Sequence, residues 1–345
     1  MVITAESFVD ALPKVELHLH LEGSVRPATL LQLAQRHRTT SLPSTLDELR
    51  RFYVFRDFPH FVEVYGAVCD QLRDAQDFAL IVHELGEGLA RQNVRYAEVT
   101  FTPYNHMRRG VPVEAVFEGV ESGRAAAERD FGVELRFCTD IPGEYGPEAG
   151  MATVRAVLSA GPDSVVSFGL GGPEAGVPRR LFARPFAMAR EAGLHAVPHA
   201  GETTGAATIW EALRHLRAER IGHGVRCLED PALVAHLAAE AIPLEVCPTS
   251  NVRLSVVPSM QAHPLRHLLD AGLTLTLNSD DPPMFGTSLR AEYLAALKVL
   301  GLTPQELVSL ARNAVRCSFA PAQRKASILA EIDALEVPAV LAGGS

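Results

Sequence analysis

The sequence predicts an α/β fold, a (β/α)8 TIM barrel in which eight parallel strands are surrounded by helices. Eight short apolar runs, rich in Val, Ile, Leu, Phe and Thr, alternate with segments of helical periodicity. The length of 345 residues suits a barrel that forms one domain over residues 1–345. The alternative, an open doubly wound sheet, would have a Gly-rich phosphate loop after its first strand, and residues 19–26 (LHLEGSVR) are not such a loop.

The apolar runs give the order of the predicted strands. Their residues are buried on both faces in a parallel sheet, which explains why the runs are nearly continuous. The strands are predicted at 15–20, 94–101, 133–139, 164–169, 194–199, 220–223, 243–247 and 273–278.

Helical spacing separates these strands. Apolar residues recur on one helical face within 78–89, and several other segments open with Pro, which suits a first helical turn. Further helices are predicted at 112–130, 147–158, 179–192, 231–239 and 263–271.

Two regions exceed the minimal barrel. Residues 40–75, in the long first crossover, predict extra helices, and residues 288–336 predict two or three helices after the last strand. The first of these insertions is expected to hold an apolar cluster of Phe52, Phe55, Phe58, Phe61 and Tyr65.

Composition and charge exclude several classes of protein. The chain is 47% hydrophobic and 21% charged, enough apolar residues for a sizeable core. With 32 Lys and Arg against 41 Asp and Glu, its net charge of −9 argues against a nucleic-acid partner and, weakly, against an anionic membrane surface. No apolar run is long enough for a membrane span, and the N-terminus lacks the features of a secretory signal. Five scattered cysteines without a C-x-x-C pair favour the reducing cytoplasm, and nothing indicates an oligomeric state.

The residues that suggest chemistry follow the predicted strands. Catalytic groups of such barrels lie at the C-terminal ends of the strands. Four of these ends carry ligand-type side chains, namely His18, His20 and Glu22 after the first strand, His199 and Glu202 after the fifth, His223 after the sixth, and Asp280 and Asp281 after the eighth.

These residue types suit a single metal ion. His18 and His20 are two residues apart on a strand, so both imidazoles face the same side. His199 adds a third nitrogen and Asp280 an oxygen, which suits Zn²⁺ with one position open for water. Taken alone, the His pair is equally compatible with a solvated loop. A carboxylated lysine that bridges two metals is excluded because none of the chain's lysines, Lys14, Lys298 and Lys325, can serve.

Three further residues have a chemical and a structural interpretation. Glu202 can move a proton at the substrate, or it can be a carboxylate at the N-terminus of a helix near 205–217. His223 lies between glycines that bring the backbone close to the site, or it is a hydrogen-bonded core histidine. The adjacent Asp280 and Asp281 repel each other unless a metal neutralises one of them, which is the chemical interpretation. In the structural interpretation, Asp281 caps a helix that begins at the following prolines. The nine other histidines receive no catalytic role.

Six motifs together are similar to those of a known family. They resemble the adenosine deaminase family of metal-dependent barrel aminohydrolases, over a span from Leu12 to about Phe319. The motifs are PKVELHLHLEGS, FGLGGPE (168–174), HAGE (199–202), RIGHG (220–224), CPTSN (247–251) and NSDDPPMFGTSLRAEY (278–293).

The resemblance implies a zinc-dependent hydrolytic deamination. Glu202 would protonate the purine nitrogen N1, and His223 would orient or deprotonate the attacking water. Zinc-activated water would attack C6, and a tetrahedral intermediate would lose ammonia. One Zn²⁺ per chain would be held by His18, His20, His199 and Asp280.

The same resemblance implies substrate contacts, with departures. Asp281 would hydrogen-bond the purine N7, and the backbone of Gly172 would contact N3. Glu22 stands where adenosine deaminases usually have an Asp that contacts the ribose 5′-hydroxyl, and in this it resembles the adenine deaminases. Pro173 follows Gly172 where Asp is usual. The stretch 278–293, in contrast, resembles the nucleoside deaminases.

A 6-aminopurine nucleoside modified at its 5′ position reconciles these features. One example is 6-amino-6-deoxyfutalosine, an intermediate of a bacterial route to menaquinone, whose 5′ end carries a benzoate. Arg26 or Arg56 is a candidate partner for that carboxylate.

Three alternatives stay open at this stage. The first is a deaminase of free adenine. The second is another metal-dependent barrel hydrolase, such as an amidase or cyclic-imide hydrolase, against which HAGE combined with Asp280 and Asp281 argues. The third is a binding protein without activity, against which the intact set of ligands and Glu202 argues.

Overall fold

Eight parallel strands form the centre of the molecule. The computed structural model describes residues 3–338, apart from the side chain of Phe58. Each strand pairs with the next in chain order, so the predicted (β/α)8 barrel is confirmed. The strands are β1 (Lys14–His20), β2 (Val94–Phe101), β3 (Glu134–Pro142), β4 (Val165–Gly171), β5 (His195–Ala200), β6 (Ile221–His223), β7 (Leu244–Val246) and β8 (Leu275–Leu277).

The circle of strands continues from β8 back to β1 through Asp280. The N–H of His20 donates to the carbonyl oxygen of Asp280 over 2.9 Å, and the N–H of Asp280 donates to that of His18 over 3.1 Å. This connection brings the two ends of the strand order together at the C-terminal mouth of the barrel.

Seventeen α-helices lie among the described residues, and each crossover between strands contains at least one. They are α1 (Ala5–Ala11), α2 (Pro27–Arg36), α3 (Leu46–Phe52), α4 (Phe58–Cys69), α5 (Ala75–Ala90), α6 (Pro103–Met107), α7 (Val113–Phe131), α8 (Gly146–Ala160), α9 (Ala183–Glu191), α10 (Ala206–Glu211), α11 (Pro231–Ala239), α12 (Pro248–Arg253), α13 (Leu265–Asp270), α14 (Pro282–Phe285), α15 (Leu289–Lys298), α16 (Pro304–Cys317) and α17 (Ala322–Asp333). None of the helices within 3–338 has the length and apolarity needed to span a bilayer.

The helix predicted at 179–192 is interrupted. A 3₁₀ turn, Arg179–Phe182, precedes α9. Pro185 has no N–H and is tolerated only in the first turn of an α-helix, so α9 begins just before it. The helix α1 was not predicted, and a capping box between Thr4 and Ser7 supports its short length.

The first crossover contains the predicted extra helices, α3 and α4. The rings of Phe55 and Phe61 have centroids 5.3 Å apart, and those of Phe61 and Tyr65 are 6.0 Å apart. Phe285 of α14 joins this cluster, 5.3 Å from Phe61. Phe52 contacts Tyr53 instead, and the side chain of Phe58 lies outside the described part of the chain. We call Phe55, Phe61 and Phe285 the aromatic cluster.

Three helices, α15 to α17, lie within residues 288–336, as predicted, and the short α14 comes between them and the last strand. The central one, α16, packs against β1 and β8 with a buried apolar stripe that includes Leu307, Ala311 and Val315. This packing supports the two strands that carry His18, His20 and the segment before Asp280.

Candidate active site

Four predicted metal ligands meet at the C-terminal mouth of the barrel. The Nε2 atoms of His20 and His199 are 3.2 Å apart. Oδ1 of Asp280 lies 3.5 Å from Nε2 of His18 and 3.3 Å from Nε2 of His20. All four side chains are buried. We call these four residues the ligand cluster.

The ligand cluster fits a divalent metal. Zn–N bonds of 2.0–2.1 Å in a tetrahedron place neighbouring ligand atoms about 3.3 Å apart, close to the observed spacings. Nε2 of His18 is buried and has no hydrogen-bond partner among residues 3–338. A buried ring nitrogen without a partner is costly unless a ligand satisfies it. Three nitrogens and one carboxylate oxygen form a donor set typical of zinc sites.

Unusual backbone conformations position Asp280 of the ligand cluster and His223 beside it. Asp280 has φ 64° and His223 has φ 60°, in the left-handed region that non-glycine residues seldom adopt. The two hydrogen bonds between Asp280 and β1 hold the first of them. Such strain clusters at functional sites because the surrounding structure maintains it. Gly222 makes the close packing possible, since a Cβ there would lie 2.8 Å from Cε1 of His18.

A buried ion network orients His18 from behind. Oε2 of Glu245 lies 2.9 Å from Nδ1 of His18. Arg220 donates to Oε1 of Glu245 over 2.6 Å and to Oε2 of Glu98 over 2.5 Å. The carboxylate therefore keeps the proton of His18 on Nδ1 and leaves the Nε2 lone pair for a metal. The sequence analysis missed Glu98 and Glu245, although a carboxylate inside an apolar strand run is a usable signal.

A second anchored carboxylate lies at the loop after β5. Oε2 of Glu174 accepts hydrogen bonds from the backbone N–H groups of Glu202, Thr203 and Thr204 at 3.2, 2.8 and 2.7 Å. The buried guanidinium of Arg179 lies 3.6 Å from the other oxygen of Glu174. Glu174 ends the FGLGGPE motif, but the sequence analysis attached no role to it. It fixes the loop that carries Glu202.

Glu202 itself is buried and faces His223. Its Oε1 lies 3.7 Å from Nε2 of His223. Burial raises the pKa of Glu202 to about 8, and the negative charges of Asp280 and Glu174 add to this effect. The carboxyl group therefore holds a proton at neutral pH and can donate it.

His223 is a neutral imidazole between two polar neighbours. Burial lowers its pKa to about 3, and the nearby His18 also lowers it. Its Nε2 lies 3.8 Å from Oδ2 of Asp280, and its Nδ1 lies 3.4 Å from Nδ2 of Asn251. The two ring nitrogens thus face different environments, one toward the site and one toward the barrel wall.

Asp281 and Gly23 meet on the same side of the mouth. A Cβ at Gly23 would lie 1.6 Å from Oδ1 of Asp281, so only glycine leaves room for this carboxyl group. Oδ1 is buried and lacks a hydrogen-bond partner in the described part of the chain. Burial raises the pKa of Asp281, and the charge of Asp280 raises it further.

Glu22, in contrast, is fully engaged by the protein. Its Oε1 accepts from the N–H of Thr102 at 3.0 Å and lies 2.9 Å from Nε2 of His106. Its Oε2 accepts from the hydroxyl of Tyr65 at 3.1 Å. Burial favours a higher pKa for Glu22, but the hydrogen bond and the electrostatic effect of His106 lower it below its ordinary value. His106, which received no role from the sequence, is thus a partner of a predicted substrate-binding residue.

The last predicted contact residue, Gly172, follows β4 with φ +76°. Its neighbour Gly171 is packed close to the carboxylate of Asp140, and a Cβ there would lie 3.9 Å from Cε1 of His199. Gly172 is therefore one residue from a position beside the ligand cluster.

Comparison with known proteins identifies the family. The sequence model of adenosine deaminases matches residues 13–335. The chain belongs to the adenosine deaminase family. It is 50% identical to the aminodeoxyfutalosine deaminase of Streptomyces avermitilis over 329 residues, which cover 95% of this chain and 92% of that protein. It is 42% identical to the adenine deaminase of Cupriavidus necator, over 93% of this chain and 91% of that protein.

Solved structures of this family have the same fold. The adenine deaminase of Arthrobacter aurescens superposes with a TM-score of 0.90 at 38% identity, over 93% of this chain and 98% of the other. An amidohydrolase of Burkholderia ambifaria, with bound Zn, has a TM-score of 0.89 at 28% identity, over 96% and 94% of the two chains. Adenosine deaminase family members are metal-dependent, and this chain is a hydrolytic deaminase.

Proposed function

We propose that this member of the adenosine deaminase family is a zinc-dependent deaminase of a 6-aminopurine nucleoside with a modified 5′ group, of the 6-amino-6-deoxyfutalosine type. The observation that carries the proposal is the identity of 50% and 49% to two aminodeoxyfutalosine deaminases, against 42% to two adenine deaminases. These identities extend over more than nine-tenths of the chain.

The ligand cluster would hold one Zn²⁺ ion. When bound, Zn²⁺ lowers the pKa of a coordinated water to near 7, which makes it a nucleophile. The protonated carboxyl of Glu202 donates its proton to N1 of the purine and so draws electrons away from C6. His223 holds the attacking water, and Asp281, whose pKa is raised by burial, donates a hydrogen bond to N7 as the protonated acid. The C6–O bond forms, and one proton of the incoming water ends on the amino group, so that the C6–N bond breaks and ammonia leaves. The other proton of the water restores the carboxyl group of Glu202, while N1 keeps the proton that Glu202 donated.

The aromatic cluster supports a 5′ group that is aromatic and anionic. Tyr65 joins this cluster to Glu22, because its ring contacts Phe61 and its hydroxyl donates to the carboxylate. The exposed guanidinium of Arg253 lies 5.5 Å from the ring centroid of Phe55. A flat aromatic ring with a carboxylate matches apolar rings beside a cation.

Of the two arginines expected from the sequence to meet a 5′ carboxylate, one is already paired. Nη2 of Arg26 lies 3.0 Å from Glu84 and 3.7 Å from Glu87. Arg56 is exposed next to the aromatic cluster. We therefore propose Arg253 and Arg56 as the partners of the substrate carboxylate.

A substrate panel tests the proposal. We expect kcat/KM for 6-amino-6-deoxyfutalosine to exceed that for adenosine at least about tenfold, which corresponds to about 1.4 kcal/mol of differential transition-state binding. Methylthioadenosine and 5′-deoxyadenosine should fall between them, and free adenine should be slowest. If adenosine exceeds every 5′-modified analogue tenfold, the 5′ part of the proposal is wrong.

Free adenine is the second candidate substrate. It is favoured by Glu22, which stands where nucleoside deaminases usually have Asp, and by the structural match to an adenine deaminase. The same panel decides, since adenine would then be turned over faster than every nucleoside. We also propose the cytoplasm as the compartment, because the five cysteines are free thiols.

A further inference from the structure

Two buried polar side chains, those of Asn251 and His263, connect His223 to a backbone N–H group at the start of α13. The N–H of Leu265 donates to Nδ1 of His263 over 3.1 Å. Nε2 of His263 lies 3.1 Å from Oδ1 of Asn251, and Nδ2 of Asn251 lies 3.4 Å from Nδ1 of His223. Asn251 is 0% exposed and His263 is 4% exposed, so water does not substitute for these contacts. Asn251 lies on α12, and His263 lies two residues before α13.

These contacts form a series of hydrogen bonds that runs from Leu265 through His263 and Asn251 to His223. The direction of each bond in the series follows from the first one, because its donor is the backbone N–H of Leu265. A backbone N–H can only donate, so Nδ1 of His263 carries a lone pair and its Nε2 carries the proton. This proton is donated to Oδ1 of Asn251, which turns the amide NH₂ toward His223. Nδ1 of His223 must then accept, and the ring proton of the neutral imidazole lies on Nε2.

We propose that Asn251 and His263 are positioning residues that hold His223 as the Nε2–H tautomer. The inference rests on the proposed deamination, in which His223 contacts the attacking water. An Nε2–H group there donates a hydrogen bond to the water oxygen and leaves another oxygen lone pair free for C6. The same group has no lone pair with which to take the proton of the water. His223 therefore orients the nucleophile and does not deprotonate it.

The geometry around Nε2 agrees with a donor. Its two polar neighbours are Oδ2 of the ionised Asp280 at 3.8 Å, which accepts, and Oε1 of Glu202 at 3.7 Å, whose carboxyl group keeps an accepting oxygen when it is protonated. The opposite tautomer would direct a lone pair at the Asp280 carboxylate and an N–H at the amide NH₂ of Asn251, and both contacts are repulsive. Burial also lowers the pKa of His263 to about 4, in agreement with a neutral ring in the chain of hydrogen bonds.

Kinetic variants of the full-length, metal-loaded enzyme test the role of the two residues. Asn251→Leu keeps the side-chain volume and removes both hydrogen bonds, and we expect kcat to fall by about 10–100-fold, the range typical of residues that orient a ligand or catalytic group. KM and metal content should stay within about twofold, because no direct contact is lost. His263→Leu should resemble it, whereas His263→Gln retains an N–H donor and should restore kcat to within about threefold.

Asn313→Leu is the matched control. Asn313 lies on α16, outside the mouth, and donates one hydrogen bond of 3.2 Å to the carbonyl of Leu275. The variant Asn313→Leu therefore also loses a hydrogen bond of a side-chain amide, here a half-buried one, and its kcat should not change. If Asn251→Leu also keeps kcat within about threefold, the inference is wrong.

Nitrogen NMR of the imidazoles tests the tautomer directly and without a substrate. With ¹⁵N-labelled histidine, the signals of His223 are those that disappear in His223→Asn. We expect the Nε2–H pattern in the natural sequence. Asn251→Asp replaces the amide donor by a carboxylate, which accepts from Nδ1–H, and should reverse the pattern and lower kcat.

An Nδ1–H pattern in the natural sequence, or no reversal in Asn251→Asp, would overturn the inference even if the substrate panel supports deamination. Conversely, if the panel identifies a different substrate, the NMR result stands, since it depends only on the contacts behind His223.

Discussion

Two buried polar groups lie at the mouth of this barrel, and they differ in what satisfies them. In the ligand cluster and beside it, Nε2 of His18 and Oδ1 of Asp281 have no hydrogen-bond partner within residues 3–338. Glu22, at the end of the same strand as His18, receives hydrogen bonds from Thr102, His106 and Tyr65. A buried polar atom without a partner costs about 1–3 kcal/mol.

The presence or absence of a hydrogen-bond partner within the protein distinguishes two groups of residues at the mouth. The first group carries unsatisfied atoms because a metal ion and a purine are expected to supply the partners. The second group is completed by the protein and acts through the shape of the wall that it supports. The predictions below test this distinction, from the largest expected effect to the smallest.

The largest effect should follow from removing a ligand of the metal. His199→Ala should lower bound metal from one equivalent per chain to near zero and reduce deamination to background, since the ligand cluster loses one of its three imidazoles. Elemental analysis and activity measure both. The control is His195→Ala at the other end of β5, where the ring pairs with Glu219 and stacks on Phe319. Two equivalents of metal in the natural protein would contradict the single site.

The next effect concerns the proton donor. Glu202→Gln should keep the metal and lower kcat by about 10²–10⁴-fold, because an amide cannot donate a proton as an acid. The pH profile gives a second measurement. Glu202 must be protonated, and burial together with Asp280 and Glu174 raises its pKa to about 8, whereas His18 and Arg179 lower it.

Activity of the natural enzyme should therefore be retained below pH 8 and decline above it as the carboxyl group ionises. In Glu202→Gln the residual activity should lack this decline. A profile of the natural enzyme that rises through pH 8 would exclude Glu202 as the acid.

A smaller effect is expected behind the ligand cluster. Glu245→Gln removes the negative charge that holds His18 through Nδ1, and we expect metal affinity to fall by about 10–100-fold with little change in the fold. Competition with a chelator measures the affinity. Unchanged affinity would mean that Glu245, with Arg220 and Glu98, stabilises the barrel without influencing the metal.

The smallest effect is expected at Glu22. Glu22→Asp shortens the side chain by one methylene and withdraws it from Thr102 and His106, so buried donors lose their acceptor. We expect a loss of stability of about 1–3 kcal/mol and a shift of about tenfold in kcat/KM toward adenosine relative to the 5′-modified nucleoside. A change in stability without a change in preference would show that Glu22 supports the wall without reading the substrate.

The strands were predictable because their signal is local. All eight apolar runs are strands, and the ends of the runs at residues 20, 101 and 223 agree with β1, β2 and β6. The helices α1, α2, α6, α12 and α14 were not predicted. Four of them have only four to seven residues and contain too few turns for periodicity, whereas the ten residues of α2 carry a buried apolar face, including Leu30 and Leu33, that was not used. The break before α9 depends on a proline whose effect is visible in the sequence but was not used.

Within the site, too, the features with a local sequence signal were the predictable ones. His18 and His20 were placed together by strand parity, and His199 and Asp280 by their positions at strand ends. The partners behind them were not predictable from spacing. Arg220 bonds to Glu98, which is 122 residues away, and His106 reaches Glu22 across 84 residues. Such contacts depend on how helices and strands pack, and no local periodicity records them.

The hydrogen bonds between Asp280 and β1 connect the proposed metal site to the closure of the barrel. Asp280, which is proposed to offer an oxygen to the ion, also closes the ring of strands through its N–H and carbonyl groups. Binding of an ion to His18, His20 and Asp280 would therefore link the first and last strands across the seam where they meet. Metal occupancy and barrel closure become thermodynamically linked, so loading the ion should slow amide hydrogen exchange at His20 and Asp280 more than at the β3–β4 seam on the other side of the barrel.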